Sequence, residues 1–183
     1  MNIKRRYQII RSLIAVVALS WSATAIADSD DTVYYAQHSF YVYKNKHVTT
    51  NYHTGILVPI NSPVKIDDMG RKKIKIELPS LGDIKVTVVN AKKHTQKNMQ
   101  EIKERMFGPN KVDISKSSKK VQEAIMNGQV IVGMTKAETI LAYGYPPTHV
   151  TPTTDLNQWT YWVNRWNRIV VNFEDDKIKE IID

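Results

Sequence analysis

The chain has 183 residues, with 26 basic and 18 acidic side chains for a formal net charge of +8, and no cysteine. The missing thiol excludes a disulfide framework, a thiolate metal site and a cysteine nucleophile. A basic start, Lys4-Arg5-Arg6 with Arg11, runs into the apolar stretch Leu13–Leu19 and ends at Ala25-Ile26-Ala27. This is the pattern of a secretory signal over 1–27, with cleavage expected before Asp28. The stretch is shorter than the ~20 apolar residues a spanning helix needs. Removing the signal's four basic residues leaves 22 basic against 18 acidic ones, a net charge of +4. At that balance the case for nucleic-acid binding loses its main support. No cysteine follows the signal to carry a lipid, so the expectation is a soluble protein of a Gram-negative periplasm with no lipid anchor.

From Val33 to Val89 the apolar period is two. Ile74, Ile76 and Leu78 alternate with charged residues, and Ile84, Val86 and Val88 with Lys85 and Thr87. Turn residues at 59–63, 68–70 and 79–83 separate the runs. Strands are predicted near 33–43, 54–58, 63–67, 72–78 and 84–90, which suggests a small β-barrel over 28–92. The stretch Gly55-Ile56-Leu57-Val58-Pro59, a turn and then Val64-Lys65-Ile66 resemble bacterial Src-homology-3-like domains. Over 93–112 the composition turns helical, with Met99, Ile102 and Met106 at helical spacing before Gly108-Pro109, and predicts a helical connector. The remainder, 113–183, reads as a second domain. A helix fits near 117–127, with Val121, Ala124 and Ile125 on one face and Gly128 past its end.

A second helix is sharply marked. Thr135 and Glu138 form a capping-box pair, Gly144 supplies a stop, and Pro146-Pro147 prevents resumption. After it, Trp159, Tyr161 and Val163 point one way along a strand, and Trp162 the other. Ile169, Val171 and Phe173 continue the buried face, which leaves Trp162, Val170 and Ile181 on the open one. Asp67-Asp68 and Asp175-Asp176 fall at expected hairpin turns, where Asp is a turn former.

Four features in this order, Gly133-Met134-Thr135, Gly144-x-Pro146, Trp159-x-Tyr161 and Val171-x-Phe173 before Asp175-Asp176, resemble the SmpA/OmlA family, the domain of the outer-membrane assembly factor BamE. The resemblance covers about the last third of the chain. It implies an ααβββ domain, two helices packed on an antiparallel sheet, that binds protein partners, with lipid as a further ligand, and performs no catalysis. Family members are typically lipid-anchored, and here this chain departs from them. The expected fold class is therefore α+β: barrel, connector and BamE-like domain.

Motifs of catalysis are missing from the sequence: no nucleophile elbow, no His-Glu-x-x-His, no phosphate loop. His47 and His53 flank a predicted turn without zinc-ligand spacing, and His38, His94 and His149 stand isolated, so surface imidazoles are expected, with no metal and no cofactor. The paired lysines at 72–73, 92–93 and 119–120 read as solvated faces that could attract anionic phospholipid or a cell-wall polymer. Trp166, in the turn Asn164-Arg165-Trp166-Asn167 and beside Arg168, has the composition of an interaction hot spot. Trp162, Arg165, Trp166 and Arg168 are the expected partner-binding residues. For Trp162 a second reading stands beside this one, burial between the two domains. The function expected is non-catalytic binding that supports outer-membrane protein assembly or envelope integrity. The alternative is a periplasmic inhibitor or ligand-binding module, since the expected helix-pair-and-sheet unit also resembles the repeats of β-lactamase-inhibitory proteins.

Overall fold

Strict alternation builds the largest sheet. In β6 (Lys73–Leu78) the side chains of Ile74, Ile76 and Leu78 are fully buried while Lys73 and Lys75 face water, and in β7 (Ile84–Val89) Val86 and Val88 are buried. A computed structural model describes residues 32–183, so the expected signal over 1–27 and its expected cleavage before Asp28 lie outside the described residues. The other strands of this sheet are β1 (Val33–Ala36), β3 (Lys46–Val48), β5 (Pro63–Met69) and β8 (Phe107–Gly108). Their order is β3-β7-β6-β5-β1-β8, antiparallel except where β3 runs parallel to β7.

Three expectations about this half are corrected. Among the described residues no closed barrel forms, because the sheet curls but ends at β3 on one side and β8 on the other. Its open side is filled by α2 (Met99–Met106), whose Met99, Ile102 and Met106 join Phe40, Phe107 and the sheet residues in one core. The expected connector helix is thus a wall of that core. Asp67 and Asp68 lie within β5, beside a register shift, and pair with Lys85 at 3.8 Å and Lys75 at 3.4 Å; the turn comes later, where Gly70 N–H donates to the Lys73 carbonyl.

A two-stranded ribbon of β2 (Phe40–Val42) and β4 (Ile56–Val58), foreseen by neither family resemblance, stands between this sheet and the C-terminal half. Short α1 (Lys92–Thr95) follows β7. Beyond α2 come α3 (Lys119–Met126), α4 (Lys136–Tyr143) and a meander of β9 (Gln158–Trp162), β10 (Arg168–Glu174) and β11 (Lys177–Ile182). Their core holds Ile125, Met134, Trp159, Tyr161 and Val171.

The BamE-like ααβββ arrangement is not what this chain builds. Among the described residues the architecture is mixed, with eleven strands in three sheets and four short helices. Along their backbones α3 and α4 adjoin each other more than they adjoin β9–β11, and only side chains such as Ile125 and Ala142 reach the core those strands share. The second core also takes Ile60 from the loop after β4. Ser39 Oγ donates to the Ile125 carbonyl while accepting from Ile60 N–H, and Asn61 and Val112 exchange two bonds. Two apolar faces this small bury too little alone, and sharing residues between them is the physical remedy.

The C-terminal strands add one further correction. The register shifts between Asn172 and Phe173, which pair with Glu180 and Ile178 respectively. A bulge of this kind places Ile181 on the same side as Ile178, so Ile181 packs against the core instead of the open face.

Candidate functional site

Three short segments meet around a groove. The first is the turn joining β2 to β3, where Tyr43 and Lys46 exchange backbone bonds of 2.9 and 3.1 Å. Lys44 and Asn45 both take positive φ, 50° and 56°, which matches a two-residue hairpin turn to the twist of its strands. The second is loop 50–54, tied to the other half of the molecule. His53 N–H and the Thr54 hydroxyl both donate to the Val163 carbonyl at 3.0 Å.

The third segment is the β9–β10 turn. Asn164 Oδ1 accepts from the N–H groups of Trp166 and Asn167 at 2.8 and 2.9 Å, and Val163 N–H donates to the Asn167 carbonyl. This Asx-type turn fixes the backbone and leaves Trp166 79% exposed. The Arg165 guanidinium lies 5.1 Å from the Trp166 ring centre, within cation–π range.

Together these segments enclose about 660 Å³, a volume suited to part of an extended ligand. Four aromatic side chains line it, Tyr41, Tyr43, Tyr52 and Trp166, with three cations, Lys44, Lys46 and Arg165. Among the described residues lining the groove there is no carboxylate. The groove can therefore stack on planar or apolar groups and attract negative charge. Tyr41 is partly buried, which raises its hydroxyl pKa, and its hydroxyl donates to the Gly128 carbonyl at 3.4 Å, so it offers the groove its ring.

The structure sorts the expected partner-binding residues into three places. Trp166 and Arg165 meet in the groove. Arg168 lines a separate depression with Trp166, Ile169 and Asp183. Trp162 is half-buried, and its indole Nε1 is shut off from solvent without a hydrogen-bond partner.

The motif residues lie in the interior or frame it. Gly133 N–H donates to the Ile178 carbonyl, and the buried Met134 returns its own carbonyl to Ile178 N–H. Thr135 Oγ1 accepts from Glu138 N–H at 3.1 Å, and Glu138 Oε2 accepts from Thr135 N–H at 2.8 Å. Trp159 and Tyr161 are wholly buried, the Tyr161 hydroxyl donating to the Gly144 carbonyl at 3.0 Å. Pro146 lines a small, partly open cavity described below.

Sequence reasoning missed the aromatic and basic residues of 41–52. The signal was present as Tyr41-x-Tyr43-Lys44-x-Lys46 followed by Tyr52, aromatic and basic residues interleaved on one short segment. A surface reading fits His149, which is exposed, but misplaces His38, His47 and His53. His38 and His47 are buried, at 6% and 3% exposure, and His53 is half-buried with its ring stacked 3.5 Å from that of Tyr143. Among the described residues no three His, Asp or Glu side chains converge as metal ligands, and no helix is long and apolar enough to cross a membrane. Set beside known proteins, the chain matches no protein family, no curated protein and no solved structure.

Proposed function

We propose that this chain is a non-catalytic binding protein of the Gram-negative envelope, exported to the periplasm, that holds an acidic segment of a protein partner in the aromatic and basic groove. The observation that carries the reading is the groove's lining: four aromatics and three cations gathered from distant segments without a carboxylate among the described lining residues. A rigid, exposed Trp supplies contact area at low entropic cost, and unpaired cations supply selection for negative charge. The basic and apolar start of the chain with its Ala25-Ile26-Ala27 end supports service in the envelope, through contact and not reaction.

A photo-crosslinking residue at position 44, in the exported full-length protein, tests this. It should trap a discrete partner through an acidic segment, and Trp166→Ala should weaken capture by ~2 kcal/mol, roughly thirty-fold. The unfolding midpoint should stay put, because Trp166 is 79% exposed. Capture should also fall with added salt. Undiminished capture by a correctly folded Trp166→Ala variant would rule out the groove as the binding site.

A further inference from the structure

All five histidines of the chain, spread in sequence from 38 to 149, gather in one region of the fold. His38, His47 and His94 line a small, partly open cavity of about 40 Å³ with Arg105 and Tyr145, and His47 also borders the groove. His149 joins His94 through a 3.0 Å contact between their Nδ1 atoms, one donating and one accepting. His53 sits behind His38 and His47, close enough to feel the charge of both.

The tautomers follow from the hydrogen bonds. His38 Nδ1–H donates to the Ser39 carbonyl and His47 Nδ1–H to the Tyr41 carbonyl, each at 2.9 Å. Nε2 is then the ring atom each has left for the cavity it lines. Arg105, on α2, is half-buried and stacks on the Tyr145 ring at 4.2 Å. Among the described residues it forms no ion pair; Glu101, the carboxylate that influences it, pairs with Lys97. His94 is influenced by Lys93 and His149, His38 by Arg105, and His47 by His38. Every charged neighbour of these imidazoles is thus another base. The one orphan acceptor on the lining is Oδ1 of Asn51, whose amide nitrogen is committed to the Tyr143 and Tyr145 carbonyls. It calls for a donor, and a protonated imidazole is one.

We infer that this cavity is a binding site for a small oxyanion, with Arg105 as the fixed charge and the imidazoles of His38, His47 and His94 as donors that take up protons when the anion enters. A cavity of about 40 Å³ has room for about three water-sized centres, the scale of a sulfate-like ion and not of a metabolite. Burial keeps His38 low and His47 down to about 4 while the cavity is all base. An anion reverses that balance, since a negative charge beside an imidazole favours its protonated form. Binding and proton uptake are therefore linked, and acid tightens binding.

Sulfate is the probe, because its charge is constant across the pH range used. Calorimetric titration of the intact exported protein, in chloride of matched ionic strength, should show sulfate binding at least ten-fold tighter at pH 5.5 than at pH 7.5. Circular dichroism checks the fold at each pH. The histidine C2–H resonances should shift with sulfate at pH 5.5. Arg105→Gln should lose at least ten-fold in affinity at pH 5.5, and Arg165→Gln, in the groove, should lose none. Sulfate effects equal to those of chloride, or binding that is insensitive to pH, overturn the proposal. So does binding lost in Arg165→Gln but kept in Arg105→Gln, which would place the anion in the groove.

Discussion

Gly144 shows how much one residue can be asked to do. The sequence suggests a left-handed helix stop, yet its φ of 75° comes with ψ of −173°, in a region open essentially to glycine alone. A Cβ there would lie 2.7 Å from Asn51 Nδ2 and 3.1 Å from His38 Nδ1, so there is a steric reason as well as a conformational one. Gly144→Ala should therefore cost ~2–3 kcal/mol, read as a lowered denaturant midpoint. It should also disturb the bonds Asn51 makes to the Tyr143 and Tyr145 carbonyls. A midpoint equal to the parent's would mean that the helix leaves α4 by another route. The capping box at Thr135 and Glu138 was legible because its partners are three residues apart. The steric demand at Gly144 was not, because Asn51 and His38 reach it from the other end of the chain.

At the scale of elements, periodicity told which residues face inward but not what they face. Alternation marked Ile74, Ile76, Trp159 and Tyr161, all fully buried. Helical spacing marked Met99, Ile102 and Met106, but spacing alone does not distinguish a connector from a wall of the core. The burial of Ile102 at 3% exposure decides it, and Ile102→Ala should cost ~2–4 kcal/mol by emptying space beside Met106 and the sheet. A cost below ~1 kcal/mol would mean that α2 is not part of the first core. The parallel pairing of β3 with β7 and the pairing of β1 with β8 join segments separated by about forty and seventy residues. No local pattern encodes such partners, and so the sheet was mistaken for a closed barrel.

For the whole molecule, the buried imidazoles set a pH limit. Burial holds His47 and His53 down to about 4, well under the usual 6.5. Between those values the unfolded chain binds more protons than the folded one, so stability is full above about pH 6.5 and drains as pH falls toward 4. A depression from 6.5 to about 4 corresponds to roughly 3 kcal/mol for His47 alone. Denaturant midpoints measured from pH 7.5 to 4.5 should fall steadily without added oxyanion, and His47→Gln should flatten the slope. A flat profile in the parent would show that His47 stays protonated or solvated in the fold. Only part of the candidate site could be read in advance. Trp166 and Arg165 share one turn, whereas Tyr43, Lys46 and Tyr52 join them only through the tertiary bonds to Val163.

Those two bonds end on a main-chain oxygen, and this has a consequence for how the molecule can change. The joint that ties loop 50–54 to the β9–β10 turn is a peptide carbonyl, which no substitution at position 163 deletes. The His53 bond comes from a backbone N–H, so only the Thr54 hydroxyl is exposed to mutation. The aromatic and basic walls, by contrast, are side chains on turns. The frame is buffered against genetic drift while the lining is open to it, so the groove's walls can be rewritten in descendants of this chain on an inherited scaffold.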